Sequence, residues 1–78
     1  MKKGDIVTVQ CERPEGPLNN PVVKGRVGVI IDVEELEDER VLTVKDEKGE
    51  EWSYWEEELK YADVKEISEA LVRMIERR

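Results

Sequence analysis

The chain has 78 residues, a formal net charge of −7, one cysteine and no histidine. That length makes one domain with a thin stability margin, since so short a chain buries only about 60% of its unfolded surface. A lone thiol excludes a disulfide framework and suits a reducing compartment, and the missing histidine argues against a structural zinc site and removes the commonest general base.

The first apolar run is Ile6-Val7-Thr8-Val9-Gln10-Cys11, in which Val7, Val9 and Cys11 alternate onto one face; this predicts a strand. Residues 12–21 hold three prolines, a glycine and two asparagines and predict a long, stiffened loop. Val22–Lys24 leads into a β-branched stretch, Gly25 to Val33, expected as a long, bent second strand. Gly28 inside it signals a bulge or a close backbone approach. Glu34 to Arg40 is a charged connection, and Val41 to Lys45 is a third strand with Leu42 and Val44 inward. Asp46-Glu47-Lys48-Gly49 predicts a tight turn in which Gly49 supplies the positive φ, and Glu50 to Trp55 returns as the fourth strand. Glu56–Glu58 reads as one turn that plants Leu59 in the core, followed by a short fifth strand over Lys60–Ala62.

Asp63 and Glu66 have the spacing of a capping box and start a helix. Val64, Ile67, Leu71, Met74 and Ile75 share one face of it, Glu69 and Arg73 are spaced as an i,i+4 pair, and Arg73, Arg77 and Arg78 suit its C-terminus. The expected organisation is therefore mainly β: five strands over residues 1–62, with an amphipathic helix over 63–78 packed on the same domain.

Gly4-Asp5-x-Val7-x-Val9, Gly25-x-x-Gly28-x-Ile30, Val41-x-x-Val44, Gly49, Trp52 and Glu58-Leu59 together resemble the spaced core of SH3-like β-barrels over roughly residues 4–62. Gly25–Ile30 is similar to the KOW motif of ribosomal and transcription-elongation proteins. The whole pattern also resembles the small SH3-like accessory proteins of electron-transfer enzymes, such as that of photosystem I, the ferredoxin-thioredoxin reductase variable chain and NifZ-like proteins. The resemblance implies a five-stranded SH3-like barrel that docks on a larger protein and carries no chemistry of its own. Signalling SH3 domains place aromatics in the first long loop, where residues 12–24 have none here. Recognition of proline-rich peptides is therefore not expected.

The charge is uneven: residues 1–30 carry five basic and three acidic groups, whereas residues 31–60 carry four basic and thirteen acidic. So acidic a middle repels phosphate backbones and favours a partner with a basic surface. The run Glu34, Glu35, Glu37, Asp38 and Glu39 lacks the alternating ligands and turn glycine of a calcium loop and reads as a solvated segment, as do Glu56, Glu57 and Glu58. All four aromatics lie within ten residues, and a strand over 50–55 points Trp52 and Tyr54 to one face and Trp55 to the other. Trp52 is expected in or near the core and Trp55 at an acidic rim. The partner-binding candidates are accordingly Trp55, Tyr54, Tyr61, Glu56 and Glu57.

Ser53 and Ser68 have no histidine to activate them, and no nucleophile–base pair stands out among the carboxylates, so neither enzymatic activity nor a cofactor or metal is expected. Lys2, Lys3, Lys24 and Arg26 are the candidates for the alternative reading, an RNA-contacting KOW-type barrel, although the net charge makes nucleic acid a poor match. No run of about 18 apolar residues is present, and Gly4-Asp5 follows the basic start in place of an apolar stretch. No membrane span or signal peptide is expected, and a cytoplasmic monomer or weak homo-oligomer is. The Glu- and Lys-rich composition resembles that of heat-stable proteins.

Overall fold

The computed structural model describes residues 1–13 and 22–76. The chain runs β1 (Ile6–Val9), β2 (Val27–Glu35), β3 (Arg40–Asp46), β4 (Glu51–Trp55), a single 3-10 turn (Glu56–Glu58), β5 (Leu59–Tyr61) and α1 (Val64–Glu76). The five strands form one antiparallel sheet in the order β4-β3-β2-β1-β5. The outermost strands β4 and β5 do not pair with each other, so the sheet is open where a closed barrel was expected. The proline-rich part of the first loop, residues 14–21, and the terminal Arg77 and Arg78 lie outside the described residues. The loop's flanks meet in an isolated bridge between Arg13 and Val22.

The core is built from alternating positions. Val7 and Val9 from β1, Ile30 from β2, Leu42 and Val44 from β3, and Tyr54 from β4 are all at most 2% exposed. Val22 and Leu59 complete it, and Met1, Cys11, Val33 and Trp52 pack against its margin. Both glycine expectations have a physical counterpart. A Cβ on Gly28 would stand 2.4 Å from the Lys45 carbonyl oxygen, so the β2–β3 backbones approach too closely there for any side chain. The bulge itself falls a few residues on, where the register shifts between Ile30 and Asp32. Gly49 has φ of 83° and closes the turn between β3 and β4, donating its amide to the Asp46 carbonyl.

At the start of α1 the capping box is reciprocal: the Glu66 amide donates to Asp63 Oδ1 at 2.8 Å, and the Asp63 amide donates to Glu66 Oε1 at 3.0 Å. The helix lies along the β2 side of the sheet through only part of its apolar face. Ala70 is buried and Ile67 half-buried, while Val64 and Ile75 are 80% and 69% exposed. Arg73 corrects the local pairing read from the sequence. Its guanidinium forks onto the Glu47 carboxylate of the β3–β4 turn, with Nε at 2.9 and 3.1 Å from the two oxygens. That bidentate bond raises the Arg73 pKa and ties the helix to the hairpin. Among the described residues, no helix is long and apolar enough to cross a membrane.

Candidate functional site

Trp55 ends β4, directly opposite Val41 on β3, and the chain then turns sharply through Glu56–Glu58. That turn is held by a carboxylate expected to be solvated. Glu58 is fully buried, and its Oε1 accepts the Trp55 amide at 2.8 Å. Its Oε2 makes no hydrogen bond among the described residues, but it lies 3.4 Å from Arg13 Nε, so the buried carboxylate has a cationic neighbour. The backbone direction at Trp55 is therefore fixed from within, and Trp55 stays half-buried at the surface.

An open groove of about 430 Å³ runs beside it. Leu36, 46% exposed, and Trp55 supply its apolar surface, while Glu35 at the end of β2, Glu37, Asp38 and Glu39 from the β2–β3 connection, and Glu56 and Glu57 from the turn supply its acidic lining. Arg40 braces these two segments. Its Nη1 donates to Glu56 Oε2 at 2.6 Å, its Nη2 donates to the Met1 carbonyl at 2.8 Å, and its Nε stands 3.5 Å from Glu35 Oε1. One guanidinium neutralises part of the acid cluster and leaves Glu37, Asp38, Glu39 and Glu57 exposed around the indole. The groove thus combines a flat aromatic surface with excess negative charge, a pairing suited to cationic side chains. Among the described residues, no group of three or more carboxylate or thiol side chains is arranged to hold a metal ion.

Of the residues expected at a partner surface, the structure gathers Trp55, Glu56 and Glu57 at this groove. Tyr54 is a correction: its side chain points into the sheet, opposite Leu42, and is fully buried. Tyr61 is 59% exposed but belongs to β5, beside β1, and does not line the groove. No local signal marks Leu36 and Arg40 in the sequence. The alternation of β3 places Arg40 at a strand start, but only the β3–β4 register brings it to Glu56.

Arg26 and Trp52 belong to a separate cluster at the other end of the hairpin. The Arg26 guanidinium lies 4.1 Å from the Trp52 ring centroid, donates to the Tyr54 hydroxyl at 3.3 Å and stands 4.0 Å from Asp46 Oδ2. The Trp52 indole donates to the same Asp46 oxygen at 2.7 Å. Burial pushes the Asp46 carboxyl up, but the Trp52 bond, the amides of Glu50 and Lys48 and the Arg26 charge outweigh it, and the net effect lowers its pKa. Burial raises that of the Tyr54 phenol. Arg26 is therefore a structural clamp across β2, β3 and β4. Of the other basic candidates, Lys2 and Lys3 precede the start of β1, with Lys3 3.9 Å from Asp32. Lys24 and Arg26 sit at the far end of β1, where Val9 donates to the Arg26 carbonyl. The four do not converge.

No protein-family model matches the chain, and no curated protein and no solved structure matches it either.

Proposed function

We propose that the protein is a non-catalytic docking module of SH3-like architecture that binds a basic segment of a larger protein assembly in the cytoplasm. The observation that carries this reading is the Trp55–Leu36 groove with its surplus of carboxylates, braced by Arg40 and by the buried Glu58. The consecutive β2–β3–β4 meander, the 3-10 turn and a short β5 returning to β1 support the SH3-like arrangement. A cationic side chain stacks on the indole while the surrounding acids orient the segment, so the ring gives contact area and the carboxylates give register. The alternative, an RNA-contacting surface, has less support, because Arg26 is engaged by Trp52, Tyr54 and Asp46 and the remaining lysines are dispersed.

The test is a parallel pull-down from native extract with the unmodified chain and with Trp55→Ala, alongside fluorescence titration with a short Arg/Lys-rich peptide. The expected result is a defined set of proteins lost with Trp55→Ala, and a peptide-induced change in emission that weakens with salt. Trp55→Ala itself leaves stability within about 1 kcal/mol, the ordinary range for a surface change. Recovery of RNA alone, or protein recovery indifferent to Trp55, overturns the reading.

A further inference from the structure

The helix α1 carries more apolar surface than its own sheet covers. At 100° per residue, Ile67, Ala70 and Met74 form one strip, and these three, joined by Leu71 at the strip's edge, line the narrow groove against β2 and the β3–β4 turn. A second strip, Val64, Ser68, Leu71 and Ile75, is centred about 100° around the helix from the first, with Leu71 on the border between the two, and is flanked by Val72. Val64, Leu71, Val72 and Ile75 are 80%, 54%, 52% and 69% exposed. Isolated exposed aliphatics are ordinary, but four on one face of a 13-residue helix form a continuous seam.

The charges beside that seam identify what fits it. Lys65 lies in the first turn of α1 and Glu76 is its last residue. Each has the wrong sign for its end of the helix dipole. When a second copy of α1 is laid antiparallel on the first, Val64 meets the other copy's Ile75 and Ser68 meets its Leu71. The same register brings Lys65 beside Glu76 of the second helix, and the two-fold axis repeats every one of these pairings. A parallel arrangement would instead set Lys65 level with Lys65 and Glu76 level with Glu76. We infer that the exposed α1 seam is the interface of an antiparallel, two-fold homodimer of this chain.

The size of the seam sets its strength. A 13-residue helix is about 20 Å long, so each copy contributes only a few hundred Å², at the low end for a specific interface. The dimer is accordingly weak and concentration-dependent. It leaves the Trp55 groove, which α1 does not line, free for another partner.

Sedimentation equilibrium of the full chain from about 5 µM to 1 mM tests this. The average mass is expected to rise from one chain toward two over that range. Lys65→Glu, an exposed position whose change also suits the helix dipole, is expected to weaken association about five-fold or more. The double exchange Lys65→Glu/Glu76→Lys is expected to restore it, and Leu71→Glu to abolish it. Circular dichroism melts confirm that each variant is folded, and the charge exchange carries the test if Leu71→Glu is not. A one-chain mass at every concentration overturns the proposal and leaves the seam to a different protein. Association indifferent to Lys65→Glu, or not restored by the double exchange, overturns it as well.

Discussion

Trp52 and Trp55 are three residues apart on one strand, yet they have different neighbours and different consequences. Trp52 packs against the core margin, donates to Asp46 and lies under Arg26, so its truncation removes packing, a half-buried hydrogen bond and a cation–π contact together. Trp52→Ala is expected to cost about 2–4 kcal/mol in urea unfolding, a large share of a small domain's stability. A loss below about 1 kcal/mol would show that the cluster is peripheral. Asp46 makes a separate, pH-dependent contribution. Its folded pKa is lowered, so its carboxylate stabilises the native state fully above the ordinary carboxylate range, and this is lost as pH falls through the lowered folded value. Melting curves between pH 5 and 2 are expected to fall more steeply for the unmodified protein than for Asp46→Asn and to converge at the acid end. Parallel curves would mean that the Asp46 charge does not contribute to folding.

Between elements, the closest constraint is the approach of β2 to β3 at Gly28. Gly28→Ala drives a Cβ into the Lys45 carbonyl and the Val44 side chain, and because one of these is backbone it cannot simply rotate aside. A loss of about 2–3 kcal/mol is expected from thermal or urea melts, against about 1 kcal/mol or less if the strands can part without strain. Much at this scale was legible in the sequence, since it depends on neighbours along the chain. The alternation of Val7 and Val9, the Gly49 turn and the Asp63–Glu66 box all formed where local geometry demanded. What was not legible depends on partners distant in sequence. Spacing alone pairs Arg73 with Glu69 one turn back, but the fold brings Glu47 within reach of its fork. Glu58 reads as solvated beside Glu56 and Glu57, but it is buried against an amide at the end of β4 and beside Arg13 at the start of the first loop. Trp52 and Tyr54 share a face, and only the register with Leu42 sends the tyrosine to full burial. The groove was half legible for the same reason: Trp55 and Glu56 are contiguous, whereas Leu36 and Arg40 arrive through β3.

For the whole molecule, the question is whether its charges hold it together or push it apart. Most of the ion pairs described join exposed or half-exposed side chains, and pairs of that kind contribute at most about 1 kcal/mol each, often nothing; Arg26–Asp46, the Arg73–Glu47 fork and Arg13 beside the buried Glu58 are less solvent-screened. Against them stands a net charge of −7, with thirteen acidic groups between residues 31 and 60. Six of those groups, Glu35, Glu37, Asp38, Glu39, Glu56 and Glu57, line the groove beside Trp55, and their mutual repulsion is screened by salt, with a Debye length of about 10 Å at 0.1 M. Salt weakens both effects, but the repulsion is summed over the cluster while most of the attractions join groups that solvent already screens. The repulsive term is therefore expected to dominate, and sodium chloride to stabilise the fold. Raising it from about 10 to 500 mM is expected to lift the melting temperature by about 4–8 °C, the shift that about 1 kcal/mol produces in a domain of this size. Over the same range, affinity for a basic peptide at the Trp55 groove is expected to fall, because that contact draws on the same unscreened field. Calorimetric melts and peptide titrations on one salt series test both signs at once. A melting temperature that falls with salt would show that the surface pairs bracing Arg40, Arg13 and Arg73 outweigh the self-repulsion of the acidic middle.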